Sequence, residues 1–109
     1  MSKEDSYHLN IRIYEDFSYK TRERVSVLEI ETMENTKGNS RGFCDQISPG
    51  FFVRRKKENG QLLTIRIEEF DKKDSNLKKM LADKGISLNL PYDLSPKDVR
   101  EWIKRQLKT

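Results

Sequence analysis

The chain has 109 residues, of which 37% are charged and 34% are apolar, and its formal net charge is +4. This length suits a single domain, 1–109, with a real core, and we expect the polar residues 1–6 to form a flexible tail. One cysteine excludes an internal disulfide and a cysteine-based metal cage. The polar N-terminus and the lack of long apolar runs exclude a signal peptide and a transmembrane segment, so we expect a soluble cytoplasmic protein.

The positive charge is concentrated in the second part of the chain. Residues 1–35 contain 5 basic and 8 acidic side chains, a net charge of −3, whereas residues 36–109 contain 17 and 10, a net charge of +7. A field of this sign favours polyanions, although mild basicity is common among proteins of every function.

The first predicted strand contains Leu9, Ile11 and Ile13, which alternate with polar residues. A period of two is typical of a strand with one buried face. Residues 15–22 are predicted to form a loop, which the rings of Phe17 and Tyr19 partly anchor to the rest of the fold.

Residues 23–33 are rich in β-branched side chains and predict a second strand. The apolar side chains lie on one face of this strand up to Val27 and on the other face from Leu28. Either a bulge or burial on both faces explains this change. A helix is the weaker alternative. Residues 34–42 have the composition of a flexible loop, and residues 43–47 fit a short strand or a turn.

Residues 50–70 carry the strongest strand and turn signals and predict a β-hairpin about Asn59 and Gly60. A two-residue type I′ loop and a three-residue loop with a bulge both fit the turn. The three-residue register, in which Lys57 pairs with Gln61, separates apolar from polar side chains, whereas the other register buries charged groups at a large cost. We therefore predict the bulged hairpin. Its core face carries Phe51, Val53, Leu63, Ile65 and Ile67, and its solvent face carries Phe52, Arg54, Lys56, Leu62, Thr64 and Arg66.

A first helix is predicted after Asp74 or Ser75, either of which suits the N-cap position. Its apolar stripe has helical spacing and its end is marked by Gly85, after which Ile86 folds back in a Schellman motif. The stripe consists of Leu77, Met80 and Leu81.

The second predicted helix has the clearest start in the chain. Ser95 suits the N-cap, Pro96 the first helical position, and Asp98 a short capping box. Its buried stripe is formed by Val99, Trp102, Ile103 and Leu107.

Strands followed by helices predict an α+β fold. We expect an antiparallel sheet of about four strands, followed by two C-terminal helices packed on one of its faces.

The basic hairpin face is the surface that we single out as a candidate site. Cations neutralise phosphates, and an exposed ring stacks on bases, so the pattern is typical of nucleic-acid binding. A solvated strand whose cations prevent sheet-to-sheet aggregation explains the same pattern at least as well. The candidate nucleic-acid-binding residues are Phe52, Arg54, Arg55, Lys56, Lys57 and Arg66.

No residue pattern predicts an enzyme. His8 lies in the polar phase of the first strand, and Cys44 beside Asp45 lacks a cysteine-hydrolase signature. The acidic and basic residues at 71–73 are spaced too loosely from Asp45 to indicate a metal-dependent nuclease. Gly-rich phosphate loops, zinc spacings and EF-hand loops are absent, and we expect no catalytic residue, metal or cofactor.

Two functional hypotheses follow. The first is a small non-enzymatic module that binds DNA or RNA through the hairpin. The alternative is a protein-interaction module, inhibitor or adaptor that acts on a larger protein by edge-strand pairing, or that forms a homodimer. A membrane partner is not expected. Trp102 fits a partner-binding groove, but its helical spacing is more typical of core packing.

Overall fold

The structure, a computed structural model, describes residues 9–32 and 42–107. Five strands form one antiparallel sheet in the order β1-β2-β5-β4-β3, and two helices follow the last strand. The strands are β1 (Asn10–Phe17), β2 (Arg24–Glu31), β3 (Gly42–Ser48), β4 (Phe51–Lys56) and β5 (Leu62–Glu68), and the helices are α1 (Leu77–Asp83) and α2 (Pro96–Leu107).

The fold is therefore α+β, as the order of predicted elements indicates. The fifth strand is β3, the segment for which a short strand and a turn were both considered. The predicted tail at residues 1–6 and residues 34–41 of the predicted loop lie outside the described residues, whereas Gly42, the last residue of that loop, begins β3. No helix within 9–32 and 42–107 combines the length and apolar character that crossing a membrane requires.

The β1–β2 hairpin is longer than the sequence pattern predicted. β1 continues to Phe17 and pairs with β2 without a register shift, so the loop predicted from residue 15 was wrong at its start. β2 also pairs with β5, and Val27 and Leu28 are both buried on opposite faces. Burial on both faces, and not a bulge, explains the phase change in this strand.

The predicted register of the β4–β5 hairpin is confirmed from Phe51, which pairs with Ile67, to Arg54, which pairs with Thr64. The register then shifts by one residue, so that Arg55 pairs with Leu62.

A four-residue turn replaces the predicted three-residue loop. The Lys56 N–H donates to Gln61 O at 2.7 Å and the Gly60 N–H donates to Lys56 O at 2.8 Å. The expected pairing of Lys57 with Gln61 is therefore wrong. Because of the shift, Leu62 packs against the core and not on the solvent face.

The core lies between one face of the sheet and the two helices. Aliphatic side chains from β2, β4 and β5 contact α1, α2 and Phe70, which lies in a single 3₁₀ turn after β5. The fully buried large residues are Val27, Leu28, Ile30, Leu63, Ile65, Ile67, Phe70, Leu77 and Val99.

The N-terminus of α1 is capped from a distant part of the chain. Its N-cap residue, Asn76, makes no capping bond with its side chain. Instead the Lys78 N–H donates to Asp93 Oδ1 at 2.9 Å, and the Leu77 N–H donates to Leu94 O at 2.8 Å. The prediction of Asp74 or Ser75 as the cap was wrong, because the segment before α2 folds against this end.

The other predicted helix ends are confirmed. The Ile86 N–H donates to Leu81 O and the Gly85 N–H to Ala82 O, which are the two bonds of a Schellman motif. At the start of α2, the Asp98 N–H donates to Ser95 Oγ at 3.1 Å, and the Ser95 N–H donates to Asp98 Oδ2 at 3.3 Å. Val99 is buried, whereas Trp102 and Ile103 are half-buried; the Leu107 side chain lies outside the description.

Candidate functional site

The sheet face opposite the helices, called here the open face, is partly covered by the turn that joins β1 and β2. Arg66 lies beneath this turn and is only 5% exposed. Its guanidinium donates to Asp16 Oδ2 at 3.1 Å, to Phe17 O at 2.9 Å and to Glu68 Oε2 at 3.1 and 3.2 Å. The prediction of a solvent-exposed Arg66 was therefore wrong, since these four hydrogen bonds hold it within the fold.

Glu68 completes this network from the other side. Its carboxylate accepts the hydroxyl of Ser18 at 2.8 Å and the N–H of Tyr19 at 3.0 Å. The Tyr19 ring in turn lies over the Arg66 guanidinium, with the centroid 3.9 Å from Cζ. Since both buried charges have hydrogen-bond partners, the network anchors the β1–β2 turn to the sheet.

Phe52 is also buried, at 7% exposure. Its ring contacts Tyr19 edge to face, with the centroids 4.9 Å apart and the planes at 69°. The prediction that the Phe52 ring is exposed is therefore wrong, because the ring packs beneath the turn and is not free to stack on a base. Sequence patterns could not reveal this cover, because Tyr19 reaches the sheet from a turn that has no periodicity.

The charged network changes the pKa of two of its members. Burial alone would lower the pKa of Arg66, but its hydrogen bonds to Asp16 and Glu68 outweigh this effect and raise it. The pKa of Asp16 is lowered because its carboxylate accepts the Phe17 N–H at 2.7 Å and the Arg66 guanidinium. Both changes favour the charged forms that hold the turn.

Charges on the open face are balanced. Within residues 9–32 and 42–107, alternate positions along the paired strands carry four cations and four anions, a net charge of zero for these positions. A neutral face gives no long-range attraction for a polyanion. The cations are Arg12, Arg54, Lys56 and Arg66, and the anions are Asp16, Glu29, Glu31 and Glu68.

The basic tip, defined here as residues 54–57, remains at the surface. Lys57 is exposed and the three residues before it are half-buried. The Arg55 guanidinium donates to Gly60 O at 3.1 Å, and Lys56 pairs with Glu58 at 3.5 Å. Phe43, which pairs with Arg55 across the sheet, is 43% exposed and is the aromatic ring beside these cations.

A shallow cavity of about 160 Å³ opens on the open face beside β4. Cys44, an exposed free thiol, lines it together with Glu29 and Arg54. The candidate histidine, His8, lies outside the described residues. Among residues 9–32 and 42–107, no three His, Cys, Asp or Glu side chains are grouped to hold a metal ion.

β1 is an edge strand, and the hydrogen bonds around it show which of its backbone groups point away from the sheet. Ser18 donates its N–H to Glu23 O across the hairpin at 2.8 Å. Since backbone groups alternate between the two sides of a strand, the even-numbered residues of β1 bond to β2. The N–H and C=O groups of Ile11, Ile13 and Glu15 therefore point away from the sheet, where no described strand pairs with them.

A groove of about 430 Å³, lined by apolar and charged side chains, lies directly beside this edge, between β1 and α2. Ile11, Ile13 and Trp102 form its walls, and all three are half-buried. Trp102 therefore lines a groove, whereas its neighbour Ile103 packs against the core. The remaining lining residues are Tyr92, Leu94, Asp98, Val99, Glu101 and Arg105.

Comparison of the chain with protein-family models, with curated proteins and with solved structures found no match.

Proposed function

We propose that this chain is a small interaction module that binds an extended segment of a partner protein as a sixth strand beside β1. The observation that carries the proposal is the position of β1, an edge with which no described strand pairs, next to a groove that Ile11, Ile13 and Trp102 line. In strand addition the backbone hydrogen bonds supply affinity, and pockets for alternate side chains supply specificity.

The geometry specifies the chemistry of the partner segment. Residues that pair with Ile11 and Ile13 direct their side chains to the helix side of the sheet, towards Trp102. The partner is therefore expected to carry two apolar side chains, two residues apart. Asp98, Glu101 and Arg105 line the same groove, so charges of both signs lie near this pair.

Within residues 9–32 and 42–107, the helix side of the other edge strand, β3, lines no groove of this kind. Phe43 and Ile47, on the helix side of β3, are each 43% exposed. An added strand at β3 would thus gain backbone bonds without a shaped apolar pocket. This difference makes β3 a matched control for β1.

The test is selection of short extended peptides from a display library against the wild-type protein and the Glu15→Pro variant. The Glu15 N–H points outward, so proline removes a donor for the partner without removing a bond of the sheet. Glu15→Ala is the control, because it also removes the ion pair with Arg24 at 2.8 Å but keeps the N–H.

We expect the wild type and Glu15→Ala to select peptides with alternating apolar residues, and Glu15→Pro to bind them about tenfold or more weakly. A second control, Gln46→Pro, removes an outward donor from β3 and should leave selection unchanged. Failure to enrich peptides, or enrichment that Glu15→Pro does not reduce, would contradict strand addition at β1.

We propose nucleic-acid binding at the basic tip as the second candidate function. It is supported by four consecutive cations at residues 54–57 beside the exposed ring of Phe43. Cations would neutralise phosphates and the ring would stack on an unpaired base, so affinity should fall steeply with salt.

An anisotropy titration with single- and double-stranded DNA and RNA, at low and physiological salt, tests the second candidate. The test variant is Phe43→Ala, Arg55→Ala, Lys57→Ala, which leaves the buried Arg66 in place. The control, Lys78→Ala with Lys97→Ala, removes the same positive charge from exposed helix positions. Binding that is equal in both variants would contradict a site at the tip.

A further inference from the structure

We infer that the strand accepted by β1 is β1 of a second copy, so that two molecules pair antiparallel about a two-fold axis at Ile13. This inference rests on the proposed strand addition and identifies the partner. It follows from the backbone groups available along β1, from the charges on the strand and from the groove beside it.

The available backbone groups are centred on Ile13. Ile11, Ile13 and Glu15 direct their N–H and C=O groups outward, as the pairing of β1 with β2 requires. Phe17 also lies in this phase, but its N–H donates to Asp16 Oδ1 and its carbonyl accepts from Arg66. The three remaining residues pair completely with their own copies only when Ile13 lies opposite Ile13.

Charges along β1 agree with this register. Arg12 lies opposite Tyr14 of the second copy, and no two like charges are opposed between residues 9 and 17. Arg12 already lies 5.5 Å from the ring centroid of its own Tyr14, so cation–π contacts suit these side chains. Centring the axis on Arg12 or on Glu15 would instead place like charges opposite one another.

Apolar contacts also match across the axis. In this register Leu9 lies opposite Phe17 of the second copy, and the Phe17 ring is 56% exposed in a single molecule. Ile13 of the second copy lies on the helix side, where the groove with Trp102 is open. Pairing therefore covers the apolar surface beside β1 from both copies.

The first test is sedimentation velocity of the full chain over a range of concentrations. We expect a concentration-dependent dimer for the wild type, for Glu15→Ala and for Gln46→Pro, and a dissociation constant at least about tenfold higher for Glu15→Pro. A wild type that stays monomeric throughout overturns the inference. A dimer that Gln46→Pro disrupts, but Glu15→Pro does not, overturns it as well.

A cross-link reports the register without a proline. In a Cys44→Ser background, Ile13→Cys places two thiols on residues whose Cα atoms are about 5.5 Å apart, within disulfide range. Ile11→Cys is the matched control, since its two copies are displaced by roughly 13 Å along the strands. Mild oxidation should link only the Ile13→Cys variant; linkage of Ile11→Cys alone, or of neither variant, overturns the pairing about Ile13.

These results separate the inference from the proposed function. A monomer that still selects peptides through Glu15 retains strand addition and overturns self-pairing. A wild-type dimer that Glu15→Pro disrupts supports both strand addition and self-pairing, because β1 then accepts a strand and that strand is β1 of a second copy. A monomer that selects no peptide contradicts both.

Discussion

Ile65 and Arg66 are neighbours in β5 and are both nearly inaccessible to solvent, yet they are buried by different means. Ile65 faces the helices and packs among aliphatic side chains. Arg66 faces the other way and is covered by the β1–β2 turn, where Asp16, Phe17 and Glu68 accept its hydrogen bonds. One face of the sheet is thus covered by apolar packing, and part of the other is covered by a turn that a charged network holds.

The two kinds of burial have different energetics. An apolar side chain is stabilised by removal of its surface from water, and its truncation costs transfer energy plus a cavity. A buried ion pair contributes little over an apolar replacement, but the loss of one partner leaves an uncompensated charge. We therefore expect that the stability of the protein falls more when a side chain of the open face is truncated than when one of the helix side is. We also expect that the contribution of the open face to stability depends on pH.

The largest effect is expected for Arg66→Ala, which should lower the free energy of unfolding by about 3–5 kcal/mol. The reason is that the carboxylate of Glu68, only 6% exposed, would lose the guanidinium with which it pairs. Urea denaturation followed by circular dichroism measures the loss. The control is Arg24→Ala, whose exposed pair with Glu15 should contribute at most about 1 kcal/mol. A loss for Arg66→Ala as small as the control would show that the network is not stabilising.

Ile65→Ala should cost somewhat less, about 3 kcal/mol, because it removes apolar contacts and leaves a cavity without an unpaired charge. The loss should be the same at low and high salt, since no charged group changes partners. Denaturation at two salt concentrations tests this. A marked salt dependence for Ile65→Ala would contradict the separation of the two faces.

The smallest effect concerns acid stability. The folded-state pKa of Asp16 lies below its ordinary value of 3.8, so its contribution is present above that pH and is lost as pH falls through the folded pKa. Asp16→Asn should therefore flatten the acid limb of a plot of melting temperature against pH. Asp93→Asn is the comparison on the helix side. Burial alone would raise the Asp93 pKa, but bonds from Lys78, Leu94 and Asn76 lower it. An acid limb unchanged by Asp16→Asn would contradict this assignment.

Local signals in the sequence were sufficient for much of the fold. Alternation predicted β1 and the faces of β4 and β5, and the hairpin register was correct from Phe51 to Arg54. The capping box at Ser95 and the Schellman ending at Gly85 were also correct, because both depend on residues within one turn of the helix. Signals of this range need no knowledge of the rest of the chain.

The candidate site was less predictable. Of the six predicted surface residues, those at 54–57 remain at the basic tip, whereas Phe52 and Arg66 are buried. Tyr19 covers both, although 33 residues separate it from Phe52 in the sequence. The groove beside β1 was missed as well, because Ile11 and Trp102 come together only when α2 packs on the sheet.

The sequence by itself determined that β1, β2, β4, β5 and both helices form, where α1 ends and α2 begins, and which side of β1 is apolar, since these depend on near neighbours along the chain. Only the tertiary structure decided that β2 lies inside the sheet, that Asp93 caps α1, that a turn covers Arg66, and that β1 remains an edge beside a groove. Each of these depends on contacts between distant segments. An arginine in a strand has the same alternation whether water or a folded turn lies above it, so its pattern could not reveal its partners.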